Sequence, residues 1–166
     1  MKIEIEGRLT EEEHTAAQWL HLKPRPAVVV VGFALAFVTL VALGLSFFGS
    51  YSYQTQIARW ALLAFLGYLI FHWAFLLPTR WKRIYRQQKS LGTPYRLEIT
   101  EEGITGTTEN MQGTNPWSDY VRWKEGNGVF LLYWSDALFQ VIPLRFFSTD
   151  KQVLDFRRLL REKVGK

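Results

Sequence analysis

The sequence predicts an α+β membrane protein made of a two-helix transmembrane hairpin and a small antiparallel β-domain closed by a C-terminal helix. Two apolar stretches, at about 26–48 and 60–77, each approach the roughly 20 residues that a helix needs to cross the hydrocarbon core. Beyond residue 94, short segments alternate apolar and polar residues, which is typical of half-buried strands. The two apolar stretches predict a membrane part of the chain. The alternating segments predict a separate, folded polar part.

The opening segment, residues 1–25, is predicted as a strand followed by a helix. Apolar and charged residues alternate from Lys2 to Glu6, and Thr10 stands three residues before Glu13, which is the spacing of a capping box. Pro24 ends the predicted helix. Because a strand this short is not stable alone, we expect it to pair with the C-terminal domain, residues 94–166.

The hairpin segment, residues 26–78, holds the two predicted spans and an uncharged connector. Within the spans, His72 is the one ionisable group well inside the apolar run. It is either a proton relay or ligand, or a neutral side chain bonded to the other helix. A relay needs partners, and neither span contains Asp or Glu, so we favour the second interpretation.

The segment 79–93 is predicted as a basic helix next to the membrane. It holds five basic residues and accounts for the formal net charge of +5: Arg80, Lys82, Arg83, Arg86 and Lys89. Basic residues beside spans stay in the cytoplasm, so both termini are predicted to be cytoplasmic. The cluster either only sets this orientation or also contacts anionic lipid. Because the charge is not on the folded module, nucleic acid is not an expected partner.

The C-terminal domain is predicted as a meander of about five strands. Its strands are expected at 95–100, 104–108, 117–124, 129–134 and 137–142, with a loop through Gly113, Asn115 and Pro116. Thr149 is a good N-cap for a last helix, whose apolar stripe includes Phe156 and Leu160. A curved meander closed by one amphipathic helix is the outline of a pleckstrin-homology-like domain, abbreviated here as PH-like.

A candidate partner surface is predicted on this domain at Trp117, Asp119, Tyr120, Pro143 and Arg145. The alternative for the aromatic residues is burial. The run 130–134 is apolar on both faces, which predicts a strand covered on one side by the closing helix and on the other by the front strand and helix. The alternative for the last two residues is that Pro143 ends a strand and Arg145 pairs with a carboxylate such as Asp119.

Four stretches carry a resemblance to a known family. They are Ile99-Thr100-Glu101-Glu102-Gly103-Ile104, Trp117-Ser118-Asp119-Tyr120, Phe130-Leu131-Leu132-Tyr133 and Val141-Ile142-Pro143-Leu144-Arg145-Phe146-Phe147. Behind a membrane hairpin, this order resembles the bacterial YcxB-like family, although Leu144 stands where that family is expected to have a basic residue. The resemblance implies a bacterial inner-membrane protein with a PH-like cytoplasmic domain and no established activity.

Catalytic, cofactor and metal sites are not expected. The chain has no cysteine, and its three histidines show no metal-ligand spacing. The expected function is therefore a non-catalytic, membrane-anchored binding or regulatory module that contacts a protein partner or anionic lipid. The alternative is a small transporter or channel subunit that forms a homo-oligomer and acts through its transmembrane helices.

Overall fold

The computed structural model describes residues 2–23, 53–109 and 111–165, together with residues 34, 36, 37, 39–41, 43 and 44. The chain forms two compact units. The first, here called the β-domain, comprises Met1–Leu22 and Trp81–Lys166, and the second, the apolar unit, comprises Lys23–Arg80. The β-domain is α+β, with two antiparallel sheets and a C-terminal helix, as the sequence predicts.

The β-domain contains seven strands among the described residues. They are β1 (Ile3–Gly7), β2 (Tyr95–Ile99), β3 (Gly103–Thr107), β4 (Gln112–Pro116), β5 (Arg122–Gly126), β6 (Val129–Tyr133) and β7 (Phe139–Pro143). Strands β1-β2-β3-β4 form one sheet and β5-β6-β7 the other, each in chain order. Helix α1 (Glu11–Leu22) follows β1, and a second helix, Asp150–Lys163, closes the domain.

The front of the chain is part of the β-domain. Strand β1 pairs antiparallel with β2, so that Ile3 lies opposite Ile99 and Ile5 opposite Leu97. Helix α1 begins with the predicted capping box: the Thr10 amide donates to Glu13 Oε2 at 2.9 Å, and the Glu13 amide donates to Thr10 Oγ1 at 3.2 Å. The two free backbone donors at this helix end are thereby satisfied.

Strand β6 is buried on both faces, as predicted, but the front strand β1 does not lie with α1 on the outer face: Ile3 and Ile5 belong to the same core as the closing helix. Phe130 and Leu132 face the main core with Phe156 of the closing helix. The alternate residues Val129, Leu131 and Tyr133 face Ala17 and Leu20 of helix α1. The side chains of a strand alternate between its faces, so an apolar run of this kind needs a cover on each side. Helix α1 provides the outer cover.

The structure of the segment 112–121 differs from the predicted loop and strand. The expected loop at 112–116 is strand β4, while the expected strand start at 117–119 is a 3₁₀ turn, Trp117–Asp119. Gly, Asn and Pro favour loops, but here pairing with β3 overrides that preference. The Trp117 indole Nε1 donates to the Thr100 carbonyl at 3.0 Å, which holds the corner where the chain leaves one sheet for the other.

The hairpin turn between β5 and β6 has the backbone conformation that its sequence favours. Asn127 and Gly128 both have positive φ, at 52° and 78°. A two-residue turn of this kind matches the twist of the flanking strands, and Asn-Gly is its preferred sequence.

The apolar unit contains helix α2 (Tyr53–Phe71) and a single π-helical turn (His72–Leu76), after which helix α3 (Leu77–Gln87) continues. The closing helix of the β-domain is therefore α4. Among the described residues, one helix, Arg59–Gln87, is long and apolar enough to cross a membrane by length and composition. The described residues between 34 and 44 are helical. The predicted first span, 26–48, otherwise falls outside the described residues, as do residues 49–52 of the predicted connector, 49–56; residues 53–56 are helical and belong to α2.

Candidate functional site, a cleft between two edge strands

A large concave surface of the β-domain lies between strands β4 and β7. Each strand is the last of its sheet, so each has one side without a neighbouring strand among the described residues. The cleft between them has a volume of about 430 Å³. We call it the edge cleft; it is lined by Leu9, Ser90, Leu91, Tyr95, Leu97, Gly106, Thr107, Thr108, Met111, Gln112, Gly113, Asn115, Trp134, Phe139, Gln140 and Val141.

Two glycines open the floor of the edge cleft. Leu97, Gly106 and Gly113 lie opposite one another across β2, β3 and β4, so they share one face of the sheet. Leu97 is buried on that face, whereas the two glycines put no side chain there. A Cβ placed on Gly113 would meet no heavy atom within 4 Å. The cleft is therefore space that side chains at these positions would otherwise fill.

The free side of β4 presents backbone groups that have no partner within the described parts of the chain. The Thr108 amide donates to the Met111 carbonyl at 2.7 Å, and the Trp117 amide donates to the Glu102 carbonyl at 3.4 Å. Because hydrogen-bonded and non-hydrogen-bonded pairs alternate along an antiparallel ladder, Gly113 and Asn115 bond to β3 between these two points. The backbone N–H and C=O groups of Gln112 and Thr114 therefore point away from β3, toward open space.

Two tyrosines, the half-buried Tyr95 and the buried Tyr120, form hydrogen bonds to residues of β7 that line the cleft. The Tyr95 hydroxyl donates to the Val141 carbonyl at 2.9 Å, and the Tyr120 hydroxyl donates to Gln140 Oε1 at 3.0 Å. Burial raises the pKa of both phenols, so each stays protonated and can donate. The ring of Trp134 stacks on Tyr120 with centroids 5.5 Å apart. These bonds hold the two sheets at a fixed separation.

The chemistry of the lining favours an uncharged occupant. None of the described residues that line the edge cleft is Asp, Glu, Lys or Arg. A second cavity, of about 480 Å³, lies at the start of α4, but Asp150 and Arg157 line it. One of its charged groups is already engaged, since Arg157 pairs with Glu125 at 2.7 Å. The edge cleft is the stronger candidate because its apolar surface and its β4 backbone groups lack partners among the described residues.

The predicted partner surface is corrected by the structure. Trp117, Tyr120 and Pro143 are buried and belong to the core rather than to a surface. Asp119 is exposed. Arg145 pairs with Glu13, not with Asp119: its Nε donates to Glu13 Oε1 at 2.5 Å.

The physical reason is long-range packing between the two ends of the chain. Arg145 Nη2 also donates to the Arg8 carbonyl, so this side chain ties the turn after β7 to the start of α1. The alternative in which Pro143 ends a strand and Arg145 pairs with a carboxylate is thus correct, with a different carboxylate. Trp117, Tyr120, Pro143 and Arg145 therefore stabilise the fold, while Asp119 lies on the surface.

The five basic residues of the segment 79–93 fall into two groups. Lys82 and Arg86 lie 3.9 Å and 2.7 Å from Glu11, so they join α3 to the start of α1 within the β-domain. The Tyr85 hydroxyl adds to this junction by donating to the Leu9 carbonyl at 2.6 Å. The other basic residues of the segment are exposed: Arg80, Arg83 and Lys89. Of the five basic residues in the segment, only these three have no ion pair among the described residues.

His72 begins the π-helical turn of the apolar unit. The Leu77 amide donates to the His72 carbonyl, which is the bond that defines the turn. The His72 Nδ1 atom is buried and has no hydrogen-bond partner among the described residues. Turns of this type often occur at functional sites.

Mild acidification is expected to weaken the β-domain through two histidines of α1. Burial lowers the pKa of His14 below its ordinary value near 6.5. Burial, together with the positive charges of Lys124 and Arg122, lowers the pKa of His21. The unfolded chain therefore binds protons near pH 6.5 that the folded chain does not, and stability falls as pH drops through that value. Thermal unfolding of the full chain should show a lower midpoint at about pH 5.5 than at pH 7.

The double variant His14→Gln, His21→Gln is the control for that pH dependence. Its midpoint should stay level over the same interval, because the carboxylates whose pKa values are lowered by ion pairs, such as Glu11 and Glu13, titrate only below their ordinary value of 4.5. A double variant whose midpoint falls as steeply as that of the natural chain would contradict the assignment.

The edge cleft was not predicted from the sequence. Its signal was present in the uncharged stretch Gln112-Gly113-Thr114-Asn115-Pro116, which follows Gly106. Two glycines in segments that otherwise alternate indicate missing side chains on one face of a sheet. Recognising them required knowing that 112–116 is a strand and which residue of β3 lies opposite Gly113.

Comparison with known proteins supports the resemblance noted in the sequence. The family described as YcxB-like protein matches residues 99–160, from the last residue of β2 into α4. No curated protein and no solved structure matches the chain. Within the described residues, no group of three or more His, Asp or Glu side chains could hold a metal ion. The matched segment contains β4, β7 and most of the lining of the edge cleft.

Proposed function

We propose that this chain, a YcxB-like protein over residues 99–160, is a membrane-anchored, non-catalytic module that binds a protein partner in its edge cleft. The observation that carries the proposal is the cleft itself. It combines an uncharged apolar floor with the free backbone groups of an edge strand, and both are surfaces that proteins normally cover. Ligand sites commonly have this composition, with apolar walls and a few fixed polar groups.

The proposed anchor is a two-span hairpin with both chain ends in the cytoplasm of a bacterial cell. Support comes from the apolar helix Arg59–Gln87 and from the two predicted spans. The exposed basic residues Arg80, Arg83 and Lys89 follow the second predicted span and favour the inner side of the membrane. In this arrangement the same three residues would contact anionic lipid headgroups, each worth about 1 kcal/mol near the surface.

The proposed fold of the β-domain is PH-like. Support comes from its two antiparallel sheets, of four and three strands in chain order, and from the C-terminal helix that packs on them. Many unrelated functions occur on one fold, so the function rests on the cleft and not on this likeness.

Photo-crosslinking in intact cells tests the proposal. A photoreactive amino acid replaces Met111, which is 76% exposed at the cleft, or Leu154, which is 59% exposed on α4 away from it. We expect a covalent adduct with a cellular protein from position 111 and none from position 154. The adduct should disappear when Gly113→Val fills the cleft in the same chain. Adducts that are equal from both positions, or that persist in Gly113→Val, would contradict the proposal.

A second candidate function is a small oligomeric transporter or channel subunit. It is favoured by His72, whose Nδ1 atom lacks a described partner at a π-helical turn. This candidate predicts that His72→Leu abolishes the cellular phenotype while Gly113→Val leaves it intact. The binding module predicts the opposite result for both variants.

A further inference from the structure

We infer that the edge cleft takes an extended, uncharged peptide segment, which adds to β4 as a further strand and places one apolar side chain over Gly113. The inference rests on the proposed function and specifies the chemistry of the partner. It follows from three features of β4: its free backbone groups, the empty face at Gly113 and the absence of charge along the strand.

The backbone groups set the mode of binding. The N–H and C=O groups of Gln112 and Thr114 point away from β3 and are two residues apart, which is the repeat of a strand. An extended segment laid along β4 can satisfy both residues by main-chain hydrogen bonds. Addition of a strand to an exposed edge is a recurring way for domains to bind peptides. Pro116 has no N–H, so the added strand ends there.

The empty face sets the side chain. In a strand added to β4, the residue opposite Gly113 points to the same face of the sheet as Gly113. That face looks into the cleft, where Leu97, Trp134 and Val141 form apolar walls. Nothing lies within 4 Å of the position of a Gly113 Cβ, so the space over this residue is open to a side chain from the partner.

The absence of charge sets the composition of the segment. The other edge strand of the same sheet, β1, carries Glu4 and Glu6 with Lys2 beside them, and charges of this kind keep edges from pairing. Strand β4 carries none. A charged residue at the inward position would be desolvated without a partner, since no charged side chain in the described part of the chain lines the cleft. The segment is therefore uncharged at that position, and a leucine-sized apolar residue suits it.

Hydrogen exchange on the full chain in lipid nanodiscs tests the inference. The probe is an end-capped eight-residue peptide of serine and threonine with one central leucine. At about nine-tenths occupancy, the amides of Gln112 and Thr114 should exchange roughly tenfold more slowly. The same peptide with N-methylated backbone on the residues beside leucine, or with lysine in place of leucine, should give no protection.

The Gly113→Val variant is the matched control within the protein. Valine suits a strand and its Cβ meets no clash, so thermal unfolding should be unchanged or slightly raised. The peptide should no longer protect the two amides in this variant. Protection that persists in Gly113→Val would overturn the inference, because the side chain of the peptide would then not enter the cleft.

Other occupants give different outcomes. Decanol, which has an alkyl chain but no peptide backbone, should bind weakly and leave Gln112 and Thr114 unprotected. If decanol perturbs Trp134 fluorescence while no peptide protects the amides, the cleft holds an alkyl chain and the inference is wrong. If Met111 forms its adduct in cells and no peptide of this set protects β4, the proposed function stands and only strand addition fails.

Discussion

A chain that lacks residues 1–22 is expected to lose the folded state of its β-domain. Ile3 and Ile5 of β1 are each 3% exposed and pack in the main core. Helix α1 covers the outer face of β6 through Ala17 and Leu20. Each large apolar side chain contributes about 1.5–3 kcal/mol by its burial. Loss of these groups, and exposure of the surfaces that they cover, removes roughly as much as the 5–15 kcal/mol that stabilises a typical domain.

Limited proteolysis and thermal unfolding of the two chains in nanodiscs measure this effect. The shortened chain should be cleaved throughout 95–165 and should show no cooperative transition. Addition of a separate peptide of residues 1–22 should restore the transition in part. The control is Glu4→Ala with Glu6→Ala, which alters only exposed side chains of β1 and should unfold near the natural midpoint. A cooperative transition at the natural temperature in the shortened chain would contradict the structure.

Replacement of Phe156 by alanine is expected to cost about 3–5 kcal/mol. Phe156 is fully buried, and its ring lies 5.0 Å from Phe130 at a right angle and 5.3 Å from Phe147, centroid to centroid. The substitution leaves a cavity where α4 meets β6, and the two remaining rings lose their edge contacts. Because a typical domain is stabilised by only about 5–15 kcal/mol, this loss removes a large share of the total stability.

Urea denaturation provides the measurement, with the free energy taken from the midpoint at constant slope. The matched control is Leu154→Ala on the same helix, which removes a side chain that is 59% exposed and should change stability by no more than about 0.5 kcal/mol. Equal losses for the two variants would mean that α4 does not pack with the face described here.

Local patterns predicted most elements of the β-domain. Alternation predicted β1 and β2, a continuous apolar run predicted β6, and the capping residues Thr10 and Thr149 predicted the starts of α1 and α4. The Thr149 hydroxyl accepts from the Gln152 amide, as its position predicts. The apolar run in β6 also predicted a cover on each face. These features depend on residues within one or two turns of one another, which a sequence displays directly.

Features that depend on distant pairing were missed. Strand β4 consists of residues with weak strand propensity, and it forms because it pairs with β3. The partner of Arg145 is Glu13, which is 132 positions away along the chain, so the nearer Asp119 was the wrong candidate. The edge cleft is harder to predict from the sequence, because it is the space left open where Gly106 and Gly113 carry no side chain. A missing side chain becomes visible only after the strands are aligned.

Residue-resolved hydrogen exchange of the purified chain in nanodiscs, without any peptide, tests most directly whether β4 is an open edge. The structure predicts alternation: the amides of Gly113 and Asn115 exchange slowly because they bond to β3, while those of Gln112 and Thr114 exchange at least about tenfold faster. Uniformly slow exchange of all four amides would mean that this side of β4 is already covered. The edge cleft could then not be a binding site.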